Sequence, residues 1–366
     1  MTFKLPTYHP PLFDQPPLAD TPLAAFEPAP QDGVAPAGYH ATSMFPEYLH
    51  LKPGGWRLLS QSRMDCVVVK GPDDGLRVTE FRHLKAGDLV AMGRGENGEQ
   101  GIYVHDAAFS QPEGTDDKFA FRGRVTRETS FSVDYDQLYQ LLRHEREHGY
   151  IIWVAGPAVA FDADARNAMA SLVESGYVQA LLAGNALATH DLEAALMGTA
   201  LGQEIYSKRH APLGHYNHLD TINRMNQLGG LRQAVDQGLI KDGIIRAALL
   251  KDIPLVLAGS IRDDGPLPGI ISDSCQAQDA MRSQLVKATT VITMASQLHS
   301  IATGNMLPSY HVLPDGKVRP VFFYMVDLSE FAADKLANRG SLAAQAIITN
   351  VQDFVVNVAR GLKDSC

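Results

Sequence analysis

From Tyr150 onward, short runs that are apolar throughout alternate with helical stretches, and this rhythm limits the possible folds more than any other feature. The runs are Tyr150–Gly156, Val178–Ala183, Ile253–Ala258, Thr290–Ala295, Val321–Val326 and Gln345–Thr349. An unbroken apolar run of strand length suits a parallel strand covered on both faces, whereas a strand with one wet face alternates. Between the runs lie Ala163–Ser175, stopped by Gly176, and then Leu192–Leu196, Leu219–Gln227, Leu231–Gln237 and Asp242–Leu250, all with helical spacing. The expected fold is α/β, with a Rossmann-like, doubly wound parallel sheet domain over 141–366.

The text before it reads differently. Trp56–Leu59, Cys66–Lys70, Leu76–Phe81, Asp88–Met92 and Gly101–Val104 are short strands bounded by Gly, Pro or Asp, and Tyr135–His148 is a helix with Leu138, Leu141 and Leu142 on one face. This gives a smaller β-rich α+β domain over 39–140. Residues 1–38, rich in Pro and Ala, cannot bury enough apolar surface to fold alone and are expected to lie as an extended arm. A net charge of −9 argues against a nucleic-acid or membrane surface. Cys66, Cys275 and Cys366 are too scattered for a disulfide framework or a zinc site. With no signal-like apolar segment at the N-terminus and no membrane-length run, the chain reads as soluble and cytoplasmic.

Where the strands end, the residues change character. Ala155-Gly-Pro157, Ala183-Gly-Asn185, Ala258-Gly-Ser260, Ser296-Gln-Leu-His-Ser300 with Gly304-Asn305, and Asp327 follow five of the six runs. Parallel pairing would gather these ends at one edge, with backbone amides beside glycine, the side chains of Asn185, Gln297, Asn305, Ser260 and Ser300, and the acid Asp327. That inventory suits a dinucleotide: phosphate on glycine-flanked amides, ribose hydroxyls on a carboxylate, and NAD rather than NADP. Gly93-Arg-Gly-Glu-Asn-Gly98 matches a dinucleotide fingerprint in letters only, because another strand follows and no helix; it reads as a hairpin turn.

Other residues admit two readings. His190 beside Asp191 is either a proton-transfer group held by its neighbour, or an ordinary helix residue next to an N-cap aspartate. Arg63 and Asp65 offer a clamp for a substrate carboxylate and a partner for an ammonium, although composition alone favours an ordinary salt bridge. His210, His215 and His218 are spaced by five and three residues with no acidic or Cys companion in helical register, so no metal is read from them.

Several stretches together resemble the NAD-dependent ornithine cyclodeaminases, found alone or as the C-terminal half of bifunctional arginine dihydrolases, whose N-terminal region is the conserved lysine-oxoglutarate reductase/saccharopine dehydrogenase region. They are Arg63-Met-Asp65, Ala155-Gly-Pro157, Leu182-Ala-Gly-Asn-Ala186 with His190-Asp191, Met197-Gly-Thr199 and Ala258-Gly-Ser-Ile-Arg-Asp-Asp-Gly-Pro-Leu-Pro268. Leu298-His-Ser-Ile301, Gly304-Asn-Met306, Val326-Asp327 and Arg339-Gly-Ser341 complete the set, which runs from about Tyr39 to Leu362. The resemblance implies a deoxyhypusine-synthase-like variant of the Rossmann sheet that lacks the glycine fingerprint. The chain departs from the family pattern at Gly214-His-Tyr-Asn-His218, at Leu328-Ser-Glu330 and in an insertion-like Val312–Val318.

What the resemblance implies is conversion of L-ornithine to L-proline and ammonia, with hydride leaving the substrate Cα for NAD and returning after ring closure. It assigns Arg63, Asp65, His190 and Asp191 to catalysis. Cofactor binding would fall to Gly156, Pro157, Gly184, Asn185, Ala186, Gly259, Ser260, Ile261, Arg262, Asp263, Gln297, His299, Ser300, Gly304, Asn305, Met306 and Asp327. A homo-oligomer, dimer or tetramer, acting on a small amino acid is expected. A net-redox opine- or saccharopine-type dehydrogenase and a non-catalytic NAD or amino-acid sensor are the other readings of the same residues.

Overall fold

In the computed structural model, which describes residues 3–110, 132–263, 265–328 and 343–363, the leading part of the chain is antiparallel. Its strands are β1 (Thr7–Tyr8), β2 (Ala25–Pro28), β3 (Glu47–Lys52), β4 (Gly55–Leu58), β5 (Val67–Lys70), β6 (Leu76–Thr79), β7 (Leu89–Met92), β8 (Ile102–Val104) and β9 (Phe109–Ser110). One sheet has the order β2-β7-β5-β6, another β4-β3-β8. Residues 96–104 turn back on themselves, with the Gly98 amide on the Ile102 carbonyl at 2.8 Å, as the Asn-Gly turn chemistry requires.

Part of the leading arm is in the sheet. Ala25–Pro28 pairs with Met92–Leu89 as an edge strand, where Pro28 is tolerated because an edge leaves one side of its backbone unpaired. Upstream, Phe13 stacks on Trp56 with ring centroids 4.9 Å apart, and Tyr8 bonds Tyr48 through their hydroxyls. These aromatic anchors supply the burial that the Pro-rich composition lacks.

Helix α1 (Ser132–His148) leads into the parallel sheet. Its strands are β10 (Ile151–Ala155), β11 (Ala180–Gly184), β14 (Leu255–Ala258), β15 (Thr290–Met294), β18 (Phe322–Asp327) and β19 (Ala343–Ile348), interrupted by the two-stranded ribbons β12 (Thr199–Ala200) with β13 (Gln203–Glu204) and β16 (Tyr310–Val312) with β17 (Val318–Pro320). The sheet order is β14-β11-β10-β15-β18-β19 with every pair parallel. In chain order that is 3-2-1-4-5-6, the doubly wound Rossmann arrangement.

Continuous apolarity has the expected cause. Ile151, Trp153 and Ala155 face one core with α2 (Ala163–Glu174), α3 (Asn185–Met197) and α9 (Val351–Leu362). Ile152 and Val154 face a second core with Met281 and Leu285 of α7 (Ser274–Leu285) and Met306 of α8 (Gln297–Met306). Three short helices, α4 (Asn217–Leu228), α5 (Leu231–Asp236) and α6 (Ile244–Leu250), pack on the α2–α3 side.

The leading sheets dock at the amino end of this sheet. The Ser309 and Val312 amides donate to the Ser62 and Ser60 carbonyls at 3.0 and 3.1 Å. Ser309 in turn accepts from the Val321 amide, immediately before β18 begins.

Candidate active site

The sheet reverses its winding between β10 and β15, and a ligand crevice is expected outside the carboxyl ends of the strands at such a reversal. Gly156 closes β10 and donates its amide to the Met294 carbonyl at 2.8 Å. A methyl group at Gly156 would lie 1.9 Å from the Ala295 carbonyl oxygen, so only glycine lets these two tips approach as they do. Beside them opens a cleft of about 390 Å³, lined by Ala158, Ala295, Asp327 and the Asn350 N-cap of α9 among others. That volume falls within the range of small-molecule clefts, roughly 300–1,000 Å³. Asp327, the last residue of β18, adds a carboxylate to the cleft's lining.

On the other side of β10, Gly184 ends β11 and begins α3. A Cβ at Gly184 would meet His299 Cε1 at 3.0 Å. His299 Nδ1 lies 2.9 Å from Ser296 Oγ, and burial pushes this imidazole's pKa down, which favours the neutral form. Ser300, on the first turn of α8, is buried. Asn185 Nδ2 donates to Asp263 Oδ1 at 3.2 Å while its Oδ1 accepts the Leu267 amide at 3.1 Å. Asp263 Oδ2 also accepts the Ser260 amide at 2.7 Å. Asn185 and Asp263 thus tie the turn after β14 to the start of α3, with Gly259 beneath it and Ile261 and Arg262 exposed on its outside. Pro157 and Ala186 each stand two residues beyond the last residue of β10 and β11.

One turn further along α3 is a buried polar group. His190 Nδ1 lies 3.2 Å from Glu193 Oε2. Glu193 also accepts the Thr199 hydroxyl at 2.8 Å and the Leu201 and Gly202 amides at 3.1 and 2.9 Å. Although burial acts to raise its pKa, the hydrogen bonds from His190, Gly202 and Thr199 hold the Glu193 carboxyl below its ordinary range. The His218 ring sits 5.0 Å from that of His190, and Phe161 edges His190 from the other side at 5.1 Å. Burial and the neighbouring His190 push the His218 pKa down against the opposite pull of Glu193 and Asp263.

His218, His299 and His311 all have folded pKa values lowered chiefly by burial. Their unfolded values lie near 6.5, so the stability tied to keeping them neutral is present above about pH 6.5 and is lost as pH falls through the lower folded values. The melting temperature should therefore hold between pH 8 and about 6.5 and decline below it. A scan in which it rises on acidification through that window would contradict this. Glu193, held below its ordinary range, acts only at more acid pH.

Several sequence expectations are corrected. Asp191 does not orient His190: adjacent helix residues point about 100° apart, and the residue on His190's face is Glu193, three positions on. Asp191 is fully buried elsewhere, accepting Arg166 Nε at 2.6 Å and the Ile244 and Ile245 amides at 3.0 and 2.8 Å. It holds the start of α6, and it is no N-cap of α3, which it occupies midway. Arg63 is paired with Glu80 and donates to the Asn305 carbonyl at 3.2 Å, at the C-terminal end of α8. Asp65 follows it in a left-handed turn with φ of 63°. Both belong to the module docked at the amino end of the sheet, so neither faces the strand tips of its own chain.

Gly304, Asn305 and Met306 are likewise displaced, because α8 starts at the tips and runs back along the sheet for roughly 13 Å at 1.5 Å per residue. Met306 packs in the core with Ile152 and Phe323. Gln297 opens α8. Asp264, Arg339–Ser341, Ser329, Glu330 and Cys366 lie outside the described residues. Spacing missed Glu193, and it set His218 aside with His210 and His215 for want of an acidic companion, which Glu193 supplies. Glu193 was legible as an i, i+3 partner on one helix, whereas His218 meets His190 only because α4 packs on α3. His210 and His215 are exposed.

Comparison with known proteins agrees with this arrangement. The family described as arginine dihydrolase ArgZ-like, C-terminal, Rossmann fold, matches residues 137–358. An ornithine cyclodeaminase from Methanopyrus kandleri is 39% identical over 339 residues, 92% of this chain and 78% of that protein. The crystal structure of a conserved LOR/SDH protein from Methanococcus maripaludis superposes with a TM-score of 0.83 at 35% identity, covering 93% of this chain and 98% of that one. A structure of AgrE in ternary complex with ornithine and NAD+ gives 0.57 at 32% identity, over 94% of this chain and 46% of the longer one. A family match across more than half of its length, and a relative of this identity across nearly all of it, show that the chain belongs to the ornithine cyclodeaminase family.

Proposed function

We propose that this chain binds NAD across the strand tips and uses it catalytically to convert L-ornithine to L-proline and ammonia. The observation that carries the reading is the crevice at the winding reversal, with side-chain-free backbone at Gly156 and a carboxylate at Asp327 beside an open cleft. The ternary complex of the related AgrE with ornithine and NAD+ supports it from outside. The residues fit the cofactor: Gly156, Gly184 and Gly259 let neighbouring segments pack close at the strand tips, which leaves room there for a ligand's phosphates, and Asp327 suits ribose hydroxyls. Pro157, Asn185, Ala186, Ser260, Ile261, Arg262, Asp263, His299 and Ser300 complete the proposed contacts.

NAD, when bound, supplies a hydride acceptor that returns what it takes, so no net redox results. The chain's own task is to hold the amino acid, exclude water and move protons. His190, fixed by Glu193, is the proposed proton carrier at the substrate nitrogens. We place the protein in the cytoplasm as a homo-oligomer, with domains near 39–140 and 141–366 following the arm; among the described residues no helix is long and apolar enough to cross a membrane.

The test is an ammonia and proline assay with ornithine, lysine and 2,4-diaminobutyrate, with and without added NAD. Ornithine should give both products with NAD alone and no build-up of NADH. Stoichiometric NADH from a single substrate would replace the reading with a net-redox dehydrogenase. Asp327→Ala should weaken NAD binding about tenfold or more, since a hydrogen bond to a charged group is worth roughly 1.5–3 kcal/mol. Unchanged affinity by calorimetry would remove Asp327 from the ribose site.

A further inference from the structure

We propose that His218 is a second proton-carrying catalytic residue, and that it and His190 together serve the two nitrogens of a diamino-acid substrate. This rests on the ornithine reading and adds to it a residue that no comparison assigns. His218 is the second residue of α4, with its ring 5.0 Å from His190 and its Nδ1 buried without a hydrogen-bond partner. A buried ring nitrogen left unpaired carries a desolvation cost, and a substrate N–H is a fitting partner for it. The groups facing His218 are His190 and Glu193 from α3 and Asp263 from the turn after β14. His190 is held with Nδ1 toward Glu193; a proton there leaves the lone pair on Nε2.

The chemistry asks for two bases. At neutral pH both nitrogens of a diamino acid are ammonium, the side-chain amine with an ordinary pKa of about 10. The α-nitrogen must lose a proton, its N–H electrons staying on nitrogen, before hydride can leave Cα. The distal nitrogen must lose one before its lone pair can bond to Cα. When the bond from Cα to the original α-nitrogen breaks, its electrons go to that nitrogen, which leaves as ammonia. The ring nitrogen gives up a further proton, so that its lone pair forms the C=N bond as ammonia leaves. Of the three protons taken up, one goes to the departing ammonia, one to the ring nitrogen after hydride returns to Cα, and the third is released to solvent. Both nitrogens converge on one carbon, and a single imidazole would have to discharge between the two removals. Two imidazoles side by side can each hold one proton.

The same three side chains bring ligand atoms within 4.8 Å of one another, a spacing that could also admit a metal ion. The hydrogen bonds favour the proton role. Glu193 already accepts four of them, from Thr199, Gly202, Leu201 and His190, and so fills the roughly four lone-pair positions of a carboxylate. Thr199 is itself held by Asn217 Nδ2 at 2.8 Å, which ties the start of α4 into the network.

The experiment uses the full chain with NAD. Wild-type turnover of ornithine comes first, since its absence would sink the ornithine reading rather than the role of His218. His218→Asn and His218→Gly should then lower kcat by about 10²–10⁴-fold. NAD affinity should be unchanged, the acid limb of the kcat–pH profile altered, and free imidazole should restore part of the glycine variant's rate. Unchanged kcat in either variant would overturn the proposal, and so would a loss that imidazole does not relieve while NAD still binds. Wild-type activity that survives a chelator supports it. Activity abolished by the chelator and restored by zinc or manganese would make the cluster a metal centre and overturn it.

Discussion

Replacing Asp191 with Ala should destabilise the protein by about 3–5 kcal/mol, more than any other single change outside the apolar cores, because it strands a buried positive charge. Arg166 is 3% exposed and directs its guanidinium to Asp191 at 2.6 Å. The same carboxylate satisfies the Ile244 and Ile245 amides at the start of α6. Removing it leaves two backbone donors and one guanidinium short of an acceptor, and Asp242, which also pairs with Arg166, is too exposed to compensate. Geometry leaves little slack: Gly243 has φ of 104°, and a Cβ there would meet Arg166 Nη2 at 2.1 Å. Denaturant unfolding should show the loss, and Arg166→Met with Asp191→Leu should recover part of it by removing both charges. A melting temperature within a degree of wild type for Asp191→Ala would show that the pair is not structural.

Gly156→Ala should cost at least 1–3 kcal/mol of stability by overpacking and, by parting the tips of β10 and β15, should also weaken NAD binding. The atom met by the new methyl is a backbone carbonyl oxygen 1.9 Å away, with its carbon at 2.4 Å, so no side-chain rotamer can relieve it. Ala295, which supplies that carbonyl, is itself held at φ of 55°, a left-handed conformation that restricts how it can retreat. The expected phenotype is a folded protein with its parallel sheet intact and a large rise in the Kd for NAD. Far-UV circular dichroism and calorimetric titration of the same sample separate the two effects. An alanine variant that binds NAD as tightly as wild type would show that the cofactor does not depend on this junction.

The parallel sheet was legible because its inner strands are buried on both faces, and burial writes itself into sequence as unbroken apolar runs. The edge strand Ala25–Pro28 was not, since nothing local distinguishes it until β7 lies beside it and Phe13 has found Trp56. Arg63 shows how far local chemistry carries. A guanidinium near a carboxylate was correctly seen as able to form an ion pair, but its partner is Glu80, seventeen residues on. Its distance from the strand tips follows from docking through Ser309 and Val312, contacts made across some 250 residues of chain. His190 was found by type, whereas its true carboxylate needed helix geometry and its imidazole neighbour needed helix packing. The glycines at the strand tips were legible for the simplest reason: side chains there would occupy the space that the junction of β10 and β15 requires.

Whether the carboxyl ends of the parallel strands seat a dinucleotide is decided by a crystal structure of the full chain with NAD and ornithine. The cofactor is expected over Gly156, with a ribose on Asp327 and the amino acid beside His190. Density for NAD at the amino end of the sheet, near Arg63 and Asn305, would contradict that placement.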